Sequence, residues 1–212
     1  MTVAGIMLCL LYFFSNGVKS YTLLTSYDWM LLIQTAFFSI VIAYSADLWS
    51  LQYLSCTESA LLFNTSPFIA ALFSYWWFNE SMTKFKWAGL ILGTVAILPM
   101  TVCRESITNK IIIDTHHILP LTILLCGITA SVYGWTLIRE LVKKRNVPFV
   151  AVNGISMFLG GLMIMMQSFL IESWDPLPVS NWYNFIFYTG LIILLSNVLF
   201  SNLYAYLLTV YT

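Results

Sequence analysis

Residues 55–93 read SCTESALLFNTSPFIAALFSYWWFNESMTKFKWAGLILG, and this stretch decides the fold class. It consists of two apolar runs joined by a short polar turn, and each run is long enough to cross a bilayer. The first run carries Pro67 halfway along, directly after Asn64, Thr65 and Ser66. Polar groups at that depth are costly unless they face other helices or a water-filled cavity. The stretch therefore predicts a kinked, polar-centred membrane helix, which favours a solute pathway over a plain anchor.

The composition of the 212-residue chain indicates a membrane protein. Hydrophobic residues make up 60% of it and charged residues 8%, whereas a soluble domain has about 25% charged residues. A soluble fold of this size could not bury so much apolar surface, so we predict an all-α, polytopic membrane protein whose partner is the lipid bilayer. The four cysteines show no metal or redox spacing. We expect no metal, no cofactor and no nucleic-acid partner.

Seven apolar segments remain when the chain is cut at its charges and turn residues. They are residues 1–16, 29–52, 57–78, 87–103, 118–138, 148–171 and 183–210. Helix-start signals lie at Thr25–Asp28, Ser55–Glu58, Asp114–Thr115, Pro148 and Ser180–Asn181. Glu58 is accordingly predicted to be the acid of a capping box rather than a ligand.

The charges predict the orientation of these segments. With the first connection on the cytoplasmic side, seven Lys and Arg residues lie inside and two, Arg104 and Lys110, lie outside. This distribution follows the positive-inside rule. It makes the first segment enter from the outside although it starts at Met1, and its 16 residues fall short of the roughly 20 needed to span. We therefore expect a preceding helix and a chain that is cut at both ends, since it also stops at Thr212 directly after a long segment.

A weak internal repeat links the second and seventh segments. The Asp-Trp pair at residues 28–29 precedes an apolar run, and so does the Asn-Trp pair at residues 181–182, an offset of 153 residues. The runs end in similar stretches that begin at Asp47 and Asn202, an offset of 155 residues. Because the number of intervening helices is odd, the two copies would be inverted in the membrane.

The order of several motifs resembles the EamA-type family of drug/metabolite transporters. The motifs are Tyr53-Leu-Ser, Ser66-Pro67, an aromatic run into Asn79-Glu80, Lys86-Trp-Ala-Gly89, and Gly93. Phe78-Asn79 replaces the Leu-Gly that family members usually carry before the glutamate. The resemblance implies a fold of ten helices in two inverted five-helix repeats, of which the seven segments are the second to eighth. It implies that residues 1–103 form a first repeat without its first helix, and residues 117–212 the first three helices of the second.

The resemblance also implies that the third segment lines a central substrate cavity, so Asn64, Ser66 and Pro67 are candidate substrate-binding residues. The alternative is that these residues only connect helices by hydrogen bonds. Asp47 lies about 27 Å along its segment at 1.5 Å per residue. It is a candidate site for a coupling proton or cation, and the alternative is an interfacial acid wetted from outside. Glu80 matches the family glutamate and is expected to satisfy amides at a tight turn.

Asparagines on the later segments complete the candidate cavity, namely Asn153, Asn197 and Asn202. Buried amides in spanning segments form hydrogen bonds to a substrate or to a neighbouring helix. Gly89 and Gly93 form a G-x-x-x-G pair that allows close packing, either within the chain or between the subunits of a homodimer.

The function expected from these features is a secondary transporter of a small organic solute or metabolite, working by alternating access in the inner membrane of a bacterium. No nucleotide-binding loop is visible in the sequence, which favours proton or ion coupling, or exchange, over ATP use. One alternative is a truncated remnant that does not transport. Another is an intramembrane enzyme, which would want paired acids or a Ser/His pair at membrane depth. Asp47 and Glu58 lack such partners, so we expect no catalytic residues. The charge bias disfavours a dual-topology exporter.

Overall fold

The structure is a computed structural model, and it describes residues 1–16, 24–79, 83–102, 104–105, 111–112, 115–145, 147–172, 181–200 and 203. The α-helices are α1 (Thr2–Asn16), α2 (Ser26–Thr35), α3 (Ala43–Ser50), α4 (Cys56–Phe63), α5 (Ser66–Phe78), α6 (Lys84–Val102), α7 (Thr115–Arg145), α8 (Phe149–Ile171) and α9 (Trp182–Ile192). Two π-helical segments continue them: π1 (Ala36–Ile42) joins α2 to α3, and π2 (Ile193–Phe200) follows α9. The short strands β1 (Arg104–Glu105) and β2 (Ile111–Ile112) pair antiparallel.

Long apolar helices dominate this architecture. Four of them could cross a membrane by length and hydropathy: Ser26–Ser50, Ile118–Arg145, Phe149–Ile171 and Trp182–Phe200. A shorter apolar helix covers Thr2–Phe14. The all-α polytopic fold class is therefore confirmed. Each of the seven predicted segments corresponds to a helix or a pair of helices, although the end of the last one lies outside the described residues. The count of seven crossings stays a prediction.

Three of the predicted helix starts carry the expected caps. The Thr25 hydroxyl accepts from the Asp28 N–H at 3.4 Å, and Asp28 Oδ2 accepts from the Thr25 N–H at 2.9 Å, which completes a capping box. A second capping box opens α4, where Glu58 Oε2 accepts from the Ser55 N–H at 2.7 Å. At the start of α9 the Asn181 side chain accepts hydrogen bonds from the N–H groups of Tyr183 and Asn184. These short polar signals fix the start of each helix because they satisfy its otherwise unpaired N–H groups.

Pro67 divides the third predicted segment into two helices. The helix α4 ends at Phe63, a turn follows at Asn64 and Thr65, and α5 begins at Ser66 with the proline in its first turn. A proline at this position would clash with the carbonyl of Phe63 if the helix continued, and it has no N–H to donate. The predicted kink is therefore a break between two shorter helices.

Two compact units make up the chain. The first comprises Met1–Val41 and Leu137–Thr212, and the second comprises Ile42–Thr136. The core of the first contains Ala4, Leu8, Ile40 and Met157, with Met1, Val150, Ile164, Ile193 and Val198 packed against it. The core of the second contains Leu54, Leu62, Leu121, Leu124 and Ile128, with Ile69 and Leu125 packed against it. These units are not the two sequence repeats, and the division into repeats at residues 1–103 and 117–212 stays a prediction.

Glycines of α8 allow neighbouring helices to approach it closely within the first unit. A Cβ atom on Gly154 would lie 3.0 Å from Cys9 Sγ and 3.1 Å from the Cys9 backbone nitrogen. A Cβ atom on Gly160 would lie 2.7 Å from the Cβ of Ile40. Small residues at such contacts are the usual means by which membrane helices pack without a hydrophobic driving force. They hold α1 and π1 against α8.

Candidate functional site

A group of polar side chains lies buried in the first unit. Thr35 is 1% exposed, Asn153 is 3%, Ser156 is 1% and Asn197 is 7%. In the part of the chain that the structure describes, Thr35 Oγ1 and Asn153 Nδ2 have no hydrogen-bond partner. A buried polar atom without a partner costs about 1–3 kcal/mol. Buried atoms of this kind often receive the missing hydrogen bond from a ligand or an ordered water.

Two contacts on α2 and α8 show that Thr35 and Asn153 lie at similar depth. Near the start of α2, Asp28 Oδ1 is 3.6 Å from Arg145 Nε, just before α8 begins. Further along, Ile40 meets Gly160. Thr35 lies five residues before Ile40 and Asn153 lies seven before Gly160, which is about 7.5 and about 10.5 Å at 1.5 Å per residue. Because both helices run the same way, the depths of the two side chains differ by only about 3 Å.

The Thr35 hydroxyl differs from six other hydroxyls of the described residues. Those six donate to a carbonyl three or four residues earlier, at 2.6 to 2.8 Å: the hydroxyls of Ser50, Thr65, Thr122, Thr129, Thr136 and Ser156. This local bond is the normal way for a membrane helix to satisfy a Ser or Thr side chain. Thr35 makes no such bond among the described residues. It is the last residue of α2, directly before π1, and π-helical turns are frequent at functional sites.

Asn197 has a comparable position on π2. Across α9 and π2, which the structure describes completely, it is the one buried residue. A helix that exposes its apolar side chains and buries an amide is arranged as expected for a spanning helix with its polar group turned inward. The two π segments start at Ala36 and Ile193, an offset of 157 residues, close to the offsets of 153 and 155 residues in the sequence repeat.

Asp47 forms its contact within the second unit. It is half-buried on α3, and its Oδ1 accepts a hydrogen bond from the Ser59 hydroxyl of α4 at 3.0 Å. Ser59 is 5% exposed. Close by in sequence, the Ser50 hydroxyl also donates to the Pro120 carbonyl at 3.2 Å. The carboxylate thus connects two helices, and its role as a coupling site stays a prediction.

The remaining candidates of the third segment also lie in the second unit. Asn64 is exposed at the end of α4, Ser66 is half-buried and Pro67 is exposed. Their role as cavity residues stays a prediction, as does that of Asn153 and Asn197. Asn202 and Glu80 lie outside the described residues.

The residues predicted to be structural have separate environments. Glu58 accepts from both the N–H and the hydroxyl of Ser55, as a capping acid does. A Cβ atom on Gly93 would overlap the ring of Phe68, so this glycine makes room for α5 within the chain. No described atom lies within 4 Å of the Cβ position of Gly89. A homodimer through the glycine pair stays a prediction.

An ion pair that the sequence did not predict lies at the start of α2. The Asp28 side chain is 6% exposed, and it pairs with Arg145 at the end of α7. The guanidinium of Arg145 also lies over the ring of Tyr27, with Cζ 4.8 Å from the ring centroid. The sequence identified Asp28 only as a cap and Arg145 only as one of the basic residues of a connection. The two residues are more than 100 positions apart in the chain, so no local sequence pattern indicates their contact.

The structure thus defines an integral, multi-pass membrane protein. The model of the EamA-like transporter family matches residues 1–102, in agreement with the resemblance that the motifs indicate. Among the described residues, no group of three or more His, Cys, Asp or Glu side chains could hold a metal ion.

The similar proteins are transporters from Chlamydia. An S-adenosylmethionine/S-adenosylhomocysteine transporter of Chlamydia muridarum is 32% identical over 161 residues, which cover 74% of this chain and 50% of the relative. Proteins of the same description from Chlamydia trachomatis serovars L2 and D are also 32% identical over 161 residues, 48% of their own length. The chain spans about half the length of the curated relatives it matches. No solved structure matches it.

Proposed function

We propose that the protein is a secondary transporter of S-adenosylmethionine and S-adenosylhomocysteine in a bacterial inner membrane. The observation that carries this proposal is the 32% identity over 161 residues to transporters of these two compounds. The family whose model matches residues 1–102 supports transport rather than catalysis. The two compounds differ by one methyl group, which makes the sulfur of S-adenosylmethionine a positively charged sulfonium. They share the adenosine and amino-acid parts, to which a single site can bind in both.

Alternating access is the mechanism that we propose. Inverted repeats permit it because the two halves can exchange conformations around a fixed site near the middle of the membrane. The π segments support this view, since they occur at corresponding positions of the two segments that the sequence pairs as repeats. The buried side chains of Thr35, Asn153 and Asn197 would line the path of the substrate. Exchange of one compound for the other needs no ATP, and a proton or cation bound at Asp47 is the alternative coupling.

Transport assays with proteoliposomes test this function. The complete gene product is reconstituted, and uptake of labelled S-adenosylmethionine is measured without ATP, with and without unlabelled S-adenosylhomocysteine inside the vesicles. We expect uptake that is several-fold faster with the internal compound, because return of a loaded carrier is faster than return of an empty one. Uptake that depends on a pH gradient would instead favour proton coupling. Binding without uptake would support the non-transporting alternative, and absence of both would contradict the proposal.

A further inference from the structure

We propose that Thr35 and Asn153 form a subsite that binds the hydrogen-bonding edge of an adenine ring. This inference rests on the proposed function, because it identifies the part of the transported molecule that the two residues bind. It goes further in assigning the subsite to α2 and α8 and in defining its chemistry as neutral and directional.

Two polar atoms at this position are buried without a hydrogen-bond partner among the described residues. Thr35 is 1% exposed and Asn153 is 3% exposed. Within the described residues, the Thr35 hydroxyl oxygen and the Asn153 amide nitrogen have no hydrogen-bond partner. Ser156 is equally buried one turn further along α8, and its hydroxyl donates to the Val152 carbonyl at 2.7 Å. The chain can therefore satisfy a buried hydroxyl in this region, and Thr35 and Asn153 are exceptions.

The two groups lie at similar depth on helices that contact each other. The buried face of α2 contains Asp28, Leu31, Leu32 and Thr35, a spacing that puts them on one side of a helix. On α8 the residues from Ala151 to Met157 are buried, which includes Asn153. Because the contacts of Asp28 and Ile40 fix the register of α2 and α8, the two polar groups lie at nearly the same depth. Together they present more than one hydrogen-bonding atom to a single ligand.

The chemistry of the two groups points to a neutral heteroaromatic edge. An asparagine amide offers one donor and one acceptor side by side, which matches the adenine N7 acceptor and the adenine amino donor. A threonine hydroxyl can donate or accept. Adenine is uncharged at neutral pH, whereas the amino-acid end of the substrate carries two charges.

The buried carboxylate of Asp28 is compensated by an ion pair at a distance from Thr35. It lies seven residues before Thr35, about 10 Å along α2, and it is paired with Arg145. The side chains of Arg139 and Glu140 on α7 are half-buried, and the Nε atom of Arg139 is buried. Thr35 and Asn153 themselves are uncharged, so the subsite is suited to the adenine ring rather than to the charged amino-acid end.

Adenosine binding tests the subsite separately from transport. The complete protein is purified in detergent, and its melting temperature is titrated with adenosine and with 7-deazaadenosine, in which a C–H group replaces N7. We expect 7-deazaadenosine to bind the wild type about tenfold more weakly, the effect of losing half of a bidentate contact. Asn153→Ala removes both halves of the contact, so it should weaken adenosine binding by more than about tenfold and should bind both nucleosides equally. Thr35→Val keeps the shape of the side chain, and it should weaken the binding of both nucleosides several-fold.

Two variants serve as matched controls. Ser156→Ala removes a hydroxyl on the same helix that already donates to Val152. Thr136→Val removes a buried hydroxyl that already donates to Tyr133. Both should bind adenosine as the wild type does. If Asn153→Ala does not give a monodisperse protein, the comparison of the two nucleosides on the wild type and on Thr35→Val decides the question.

The results separate failure of the subsite from failure of the proposed function. Equal binding of adenosine and 7-deazaadenosine by the wild type would overturn the subsite, and so would an Asn153→Ala variant that keeps the wild-type preference. If the wild type binds adenosine with this preference but takes up no S-adenosylmethionine, the subsite stands and the transport proposal fails. If uptake is observed but adenosine never raises the melting temperature, the subsite fails and transport stands.

Discussion

Replacing Gly160 by alanine should push π1 away from α8. The added Cβ atom would lie 2.7 Å from Ile40 Cβ and 2.8 Å from both its Cδ1 and its Cγ2. Favourable carbon–carbon contacts lie at about 3.5–4.0 Å, so the overlap is about 1 Å against a side chain that is stiff at χ1. Overpacking of this kind costs about 1–3 kcal/mol. Alanine in a helix interior recovers about 1 kcal/mol relative to glycine. We therefore expect the free energy of unfolding to fall by up to about 2 kcal/mol.

The assay is reversible unfolding in mixed micelles, followed by tryptophan fluorescence. Gly190→Ala on α9 is the matched control, because no described atom lies within 4 Å of its Cβ position and alanine should therefore stabilise it slightly. Adding Ile40→Ala to Gly160→Ala removes two of the three overlapping atoms, Cδ1 and Cγ2, and leaves the contact with Cβ. The double variant should thus lose less stability than the sum of the two single variants. Gly160→Ala and Gly190→Ala variants of equal stability would refute the packing of π1 against α8.

Three further predictions test local features. Thr35→Val should be at least as stable as the wild type because it removes an unpaired hydroxyl. Thr136→Val should lose about 0.5–1 kcal/mol of unfolding free energy because it removes a hydrogen bond. Thermal melts in which Thr136→Val is the more stable variant would contradict both expectations. Asp28→Asn should lower the unfolding free energy by about 1–3 kcal/mol. Adding Arg145→Gln should cost little more, because the ion pair is already lost. A double variant that loses the sum of the two single losses would show that the pair is not coupled. Ser55→Ala should cost about 1 kcal/mol by removing a helix cap; an unchanged melting temperature would argue against the cap.

Local features of the fold were predictable from the sequence. The helix starts at Thr25, Ser55 and Asn181 depend on side chains that bond to N–H groups two or three residues away, so a short pattern contains all the information. The break before Pro67 has the same local origin. The apolar segments were also correct, because a spanning helix must be apolar over most of its length.

The arrangement of the site was not predictable in the same way. Asn153 and Asn197 stood out as amides in apolar segments, but Thr35 resembled the other hydroxyls that bond to their own helix. What distinguishes it is its complete burial and the π segment after it, and a single sequence gives no local sign of either. The ion pair of Asp28 and Arg145 is likewise a long-range contact. Such contacts follow from helix packing, which the hydrophobic pattern does not determine.

The proposed function and the proposed subsite meet at one point, the binding of the adenine ring of a transported adenosyl compound between α2 and α8. A density map of the complete protein with S-adenosylhomocysteine bound tests it directly. We expect the adenine ring between α2 and α8, with the Asn153 amide and the Thr35 hydroxyl within hydrogen-bonding distance, about 3 Å, of its N7 and amino groups. A map that shows the nucleoside elsewhere, with Thr35 and Asn153 enclosed only by protein, would contradict the claim.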